Sequence, residues 1–415
     1  MRAPLDPVHQ PGGRQTRKAW FCLLAAVAVA PGPVHGAQPA RPPALAAEPR
    51  GDGIADDTAV LQKALDTRKS VHLGPGSYRI TRPLRLPAGA VLSGSGTIVV
   101  DFDSGKMDAS NAAIYGQGQD IRLEGISISK RFRDGSYGVG VLIGGGSRNV
   151  VVRNVEVSGY SARYGIHLVE SENFEITGCY IHDFLVNSAA DMILDSPAGI
   201  RITRCQDGIL SNNRILRIEV GAQGYASLSP DRPAYGRQGY QSDCITVMQS
   251  QGITVVGNVL DTSGEGIDLL LSHDCAVSAN RIHNIWLQGI KMLGVRYTAV
   301  TGNVLRACMQ GIGLAEHVSM KTDCVGNTVT GNTILDSGAP GVFRVPGSVR
   351  SGLAGAFGID LSDRCLDNLI AHNTILDTQL QKTMTHAVRQ EKKLRNIIEG
   401  NNIGTDSEAR LGHPQ

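Results

Sequence analysis

Aromatic residues are scarce in this 415-residue chain: Phe, Trp and Tyr together make up 5%, with only two Trp. That is little ring volume for a globular enzyme built on one thick core. Charge of one sign is missing too. Lys+Arg 40 against Asp+Glu 38 leaves +2, and Arg2, Asp6, Arg14, Arg17 and Lys18 give residues 1–36 a net +3, so the remainder sits near −1. That balance argues against a nucleic-acid partner held through bulk charge. No CxxC is present and seven of the eight cysteines lie beyond residue 37. An odd count without paired spacing implies neither a metal knuckle nor a complete disulfide framework.

Long apolar runs are also lacking. Ala19–Ala30 is apolar over 12 residues, too short for a bilayer of ~30 Å hydrocarbon. It follows a basic stretch and precedes Pro31-Gly-Pro-Val-His-Gly-Ala37, the breakers and small residues found near a signal-peptidase site. Residues 1–37 therefore read as an export signal, 38–50 as a linker and 404–415 as a tail. The expectation is a periplasmic or secreted protein with no membrane span in its mature form.

What is abundant is glycine, 50 of 415 residues, about 12% where roughly 7% is ordinary. No Gly-x-y period accompanies it and hydrophobic residues make up 41%, so collagen and disorder are both excluded. From about residue 120 one phrase recurs, an aliphatic, two small or polar residues, usually Asn, and an aliphatic two places on. Its register positions are Cys179, Asn213, Asn258, Asn280, Asn303, Asn332, Asn373 and Asn401, with a floor spacing of 22–23 residues. Periods of this size mean a solenoid, and alternation inside each unit makes it a β-solenoid stacked at ~4.8 Å. The asparagines read as structural, since Asn tolerates turn backbone and can stack its amide on the next copy.

The stretch Gly51-Asp-Gly-Ile-Ala-Asp-Asp-Thr to Asp66 reads as a short amphipathic helix over about 56–66. The segments Ser70–Ile80 and Leu84–Gly96 follow it. The pattern GDGxxDDTxxxQxALD, then PGxYxI, then LxLPxGxxLxGxG closely resembles the opening of the pectate-lyase-like superfamily of right-handed parallel β-helices. The motif covers residues 51–96, and the repeats extend a general β-helix likeness to about 403. The resemblance implies an all-β, single-stranded right-handed parallel β-helix over 51–403. It also implies a helix plugging its N-terminal end and activity on polysaccharides. Ten to twelve coils are expected.

A second phrase, a small residue followed by Ile, then one residue and another aliphatic, places that one residue outward in each unit: His167, Arg201, Thr246, Asp268, Lys291, Gly313 and Asp360. Steps of 22, 23 and 22 from 246 to 313 put those four on successive coils, with Asp268 and Lys291 as lateral neighbours ~5 Å apart. A parallel row holds Tyr164, Asp243, Glu265, Gln288 and Gln310. The candidate catalytic residues are Lys291, Asp268, Asp243, Glu265 and His167. Tyr164, Arg201, Arg131, Arg133, Gln288 and Gln310 are candidates for substrate binding. As an exposed sheet-face charge, Lys291 should contribute only ~0–1 kcal/mol to folding; if its pKa is lowered it can act as base.

Against polygalacturonase-type hydrolases, Asp243 matches one of the paired acids and Lys291 the substrate-binding lysine. Ser242, Glu265 and Gly289 stand where that family has an acid, a histidine and an arginine. Against mannuronan epimerase-like helices, Tyr164-Gly165 matches the start of the catalytic strand, with His167 in the Asp place. Three functions follow: a lyase or uronate epimerase on an acidic polysaccharide, a glycoside hydrolase using Asp243 with Glu265 or Asp268, or a non-catalytic carbohydrate-binding or surface helix. An inverting hydrolase needs its carboxyls ~6.5–9.5 Å apart. No acidic spacing marks a calcium loop, so no cofactor is evident and a divalent cation such as calcium remains open. The loop 217–242, with three Tyr and three Arg, is a candidate wall for a saccharide groove.

Overall fold

Aliphatics two residues apart, repeated at a fixed interval, bury themselves only by stacking copy on copy. The computed structural model describes residues 48–103, 109–130, 138–160, 163–186, 196–220, 242–338, 356–392 and 394–404. Its strands pair in parallel, forming a right-handed parallel β-helix from Asp52–Asp56 to Asn402–Ile403. One coil shows the plan. Gln251–Val256 lies on a first face, Val259–Ser263 on a second and Glu265–Leu270 on a third. Each strand pairs with its counterparts on neighbouring coils. Among the described residues the third face has eleven strand segments, from Leu84–Leu86 to His386–Gln390, within the expected number of coils.

The opening motif divides differently from its sequence reading. Asp52–Asp56 is a strand and the helix begins at Thr58, running to Arg68. The acids explain the shift, because each ties down backbone N–H groups rather than heading a longer helix. Asp52 Oδ1 accepts from the N–H groups of Ile54 and Ala55 at 2.8 Å, and Asp57 accepts from those of Arg50 and Gly51 at 2.7 and 3.1 Å. The helix buries Leu61, Ala64 and Leu65 and packs on Ser70–Leu73 and Leu84–Leu86. It covers apolar surface that a terminal coil would otherwise expose.

The asparagines form a ladder inside the helix. Asn213, Asn258, Asn280, Asn303 and Asn332 each donate Nδ2–H to the Oδ1 of the next, at 2.9–3.0 Å. Each next Oδ1 also accepts a backbone N–H, which satisfies corner groups that would otherwise be buried without partners. A second ladder, Asn327–Asn368–Asn396, was not foreseen. It is confined to the C-terminal coils, too few copies to stand out as a repeat.

The small position of the second phrase is an inner corner. A Cβ on Gly266 would stand 2.4 Å from the Gly289 carbonyl of the next coil, and one on Gly311 equally close to that of Gly358. Backbone approach therefore sets the composition there. The cysteines at 179, 205, 244, 275, 308, 324 and 365 are all free and buried in the core.

Segments 131–137, 187–195, 221–241 and 339–355 are outside the described residues. Each falls in sequence between a second-face strand and the next third-face strand. The signal, most of the linker, nearly all of the 217–242 loop and the tail beyond 404 also lie outside them. Among the described residues no helix is long and apolar enough to cross a membrane.

Candidate active site

Alternation turns the residue between the two aliphatics outward on the third face, and the corner at the small position turns the residue before it outward as well. The register is the one inferred from spacing. Asp243 pairs with Glu265, and Thr246, Asp268, Lys291 and Gly313 follow one another on successive coils. Gln288 pairs with Gln310. Exposure is where the structure departs from expectation. Asp268 and Thr246 are 0% and 1% exposed, Asp243 and Glu265 1% and 3%. The rows fold against each other, so these carboxyls are held away from water. Lys291, with 12% of its side chain exposed, is the member nearest solvent.

Lys291 Nζ lies 3.1 Å from Glu265 Oε1 and 3.3 Å from Asp268 Oδ2, joining the two rows. Thr246 Oγ1 donates to Asp243 Oδ2 at 2.7 Å. One oxygen from each of Asp243, Glu265 and Asp268 falls within 4.8 Å of the others. Asp243 Oδ1 and Glu265 Oε2 are buried with no hydrogen-bond partner. Burial, then the Asp268 charge, pushes the Asp243 carboxyl up to about 7 against the pull of Lys291 and Thr246. Burial likewise lifts Glu265 well above the carboxylate range, although Lys291 opposes it. Burial would lower Lys291, but Asp268, Glu265 and Asp243 together hold it above its ordinary value. Lys291 is therefore a charged clamp; the role of lowered-pKa base is corrected, because three carboxyls outweigh desolvation.

The three acidic oxygens are close enough to share a cation at the ~2.3–2.6 Å bond lengths of calcium. Such an ion would compete with the Lys291 ammonium for Glu265 and Asp268. The cluster already carries its own positive charge.

A family model described as "Right handed beta helix region" matches residues 107–408. The chain belongs to this right-handed beta-helix family. It is similar to the pre-neck appendage protein of Bacillus phage phi29, 28% identical over 123 residues, which are 26% of this chain and 14% of that protein. The Dettilon tailspike protein shares the fold at 17% identity with a TM-score of 0.54, covering 81% of this chain and 65% of its own. DFA-IIIase from Arthrobacter chlorophenolicus A6, solved in complex with DFA-III, superposes at a TM-score of 0.64 and 12% identity, covering 89% of this chain and 96% of its own. At these identities the solved structures show a shared fold.

On this beta-helix frame His167 stands apart from the carboxyl cluster. It pairs with Arg201, which pairs with Thr246, so three coil steps, ~14 Å, separate it from Asp268. Its Nε2 lies 3.2 Å from Thr203 Oγ1, and its ring meets that of Tyr164 edge-on at 4.7 Å. Burial, then the Arg201 and Arg204 charges, lowers its pKa to about 3. It is therefore a weak base and stands apart from the three carboxyls. Arg201 lies over the Tyr164 ring at 5.1 Å, with Nη2 3.3 Å from Met248 Sδ. Gln288 donates to Gln310 Oε1 at 2.8 Å. Arg131 and Arg133 lie outside the described residues.

The sequence reading passed over a second group on the same face. Asp360 accepts from Arg389 Nε and Nη2 at 2.6 and 2.9 Å, and that guanidinium lies 4.4 Å from the Phe357 ring centroid. The outward-residue pattern already held Asp360; Arg389 falls on a strand, His386–Gln390, without the Gly-Ile phrase.

Proposed function

We propose that this chain is an exported, glycan-active hydrolase whose chemistry resides in Asp243, Glu265 and Asp268. The observation that carries this reading is the convergence of three buried carboxyls on one ammonium. Asp243, pushed up to about 7, is a proton donor at neutral pH, and Asp268 beside the Lys291 ammonium is the adjacent carboxylate. A protonated carboxyl next to an ionised one is what glycosidic cleavage uses. Each of the three carboxyls places one oxygen within 4.8 Å of the others. In this reading Asp243 protonates the leaving oxygen and Asp268 is its carboxylate partner, both reached once the substrate draws the Lys291 side chain aside. Substrate approaches over Lys291, the cluster's most exposed member.

A lyase or epimerase has less support. Either needs a base able to take a C5 proton and a cation for the neighbouring carboxylate. Lys291 is charged and doubly ion-paired, and His167 is too weak a base. DFA-IIIase, solved in complex with DFA-III, shares the fold, which supports a carbohydrate ligand for this chain. Export rests on the Ala19–Ala30 run.

Incubating the mature protein with neutral and uronic polysaccharides tests the reading. New reducing ends without absorbance near 235 nm are expected. An unsaturated, absorbing product would establish a lyase, and binding without products would leave a carbohydrate-binding helix.

A further inference from the structure

Gly313 follows Lys291 in the outward row and precedes Asp360 and Arg389. Both charged neighbours turn away from it. The Lys291 ammonium points back to Glu265 and Asp268, and the Asp360 carboxylate forward to Arg389. Between them lies a stretch two coil spacings long, ~10 Å, in which no charged side chain rises from the row.

The glycine is there for space. Its backbone is not in the left-handed region, yet a Cβ would meet the Gln288 amide, 2.2 Å from Nε2 and 2.9 Å from Cδ. Gln288 therefore lies across Gly313, fixed by its bond to the buried Gln310. The half-buried Gln288 covers the buried Gly313, and among the described residues its carbonyl oxygen accepts no hydrogen bond. The result is a flat amide floor, one coil from Lys291, offering a donor and an acceptor but no charge.

We propose that this floor is a subsite for an uncharged sugar ring, which makes the substrate a neutral glycan, with Gln288 as its positioning residue and Gly313 as the residue that admits it. The inference rests on the hydrolase reading for the reaction at the adjacent cluster, though not for binding. A uronate carboxylate would find the nearby cations, Lys291 and Arg389, already ion-paired and would approach three acids. A neutral ring loses nothing there, and its hydroxyls match the Gln288 amide.

The test is affinity electrophoresis of the mature protein through gels containing inulin, soluble starch or hydroxyethylcellulose, against polygalacturonate or alginate. Retardation by at least one neutral polymer is expected. Gly313→Val, which lifts a flexible amide rather than backbone, should weaken it tenfold or more with an unchanged melting temperature. Gln288→Ala, which removes the floor without adding bulk, should do the same. Retardation by acidic polymers alone, by none, or equally in wild type and both variants would overturn the proposal. Reducing-end release separates the two readings. Binding that Gly313→Val weakens, without any hydrolysis, sinks the hydrolase and keeps the subsite; hydrolysis of a neutral polymer unaffected by both variants does the reverse.

Discussion

Replacing Asp243 by Asn should make the protein more stable and less active, and the stability gain should depend on pH. Asp243 is 1% exposed, and its carboxyl is pushed up to about 7 from 3.8. The native state thus holds this proton more tightly than the unfolded chain. As pH rises from about 4 to about 7, the unfolded carboxyl ionises first and wild-type stability falls; above about 7 the full penalty is present. About three pKa units at 1.36 kcal/mol each set a ceiling of about 4 kcal/mol. Relaxation and coupling to Glu265 and Asp268 bring the expected gain to about 1–3 kcal/mol. Asparagine keeps an oxygen for the Thr246 hydroxyl and turns an amide toward the acids. Urea denaturation of both proteins at pH 4 and pH 8 measures the effect. The gain should appear at pH 8 and nearly vanish at pH 4. Destabilisation at pH 8, or an equal gain at both values, would refute the account of a desolvated, charge-repelled carboxyl.

Lys291→Met removes the cation from between Glu265 and Asp268, and breaking such a buried pair costs about 3–5 kcal/mol. Denaturation should show that loss at pH 8 and a smaller one at pH 4, where the acids take up protons; a change below 1 kcal/mol would restore the exposed-lysine expectation. With Asp243 as proton donor, kcat should decline as pH rises through about 7, and a flat profile from pH 5 to 9 would assign the acid elsewhere. Asn258→Ala deletes the acceptor of both the Asn213 backbone N–H and side-chain amide, and the donor to Leu210 and Asn280. At about 1–3 kcal/mol for each buried group left unpaired, a loss of at least 3 kcal/mol is expected by chemical denaturation, while Asn401→Ala at the end of the ladder should cost less.

Much of the architecture was legible in the chain itself, because a solenoid writes its geometry as spacing. Intervals of 22–23 residues placed Thr246, Asp268, Lys291 and Gly313 on consecutive coils, and alternation turned them to one face. The Asn positions followed from the same local rules of period and turn chemistry, while the plugging helix came from the resemblance carried by residues 51–96. Burial of the outward rows did not. Alternation says which way a side chain leaves the sheet and nothing about what then covers it, so residues expected at the surface, Asp268 above all, are sealed in. The pairing of Lys291 with Glu265 joins different rows, and only packing decides that. From it come the raised carboxyl titrations and the loss of Lys291 as a base, since a pKa is set by desolvation and nearby charge in three dimensions. Gly313 makes the same point: in the sequence it is a gap in a row of charges, and only the folded chain lays the Gln288 amide across it.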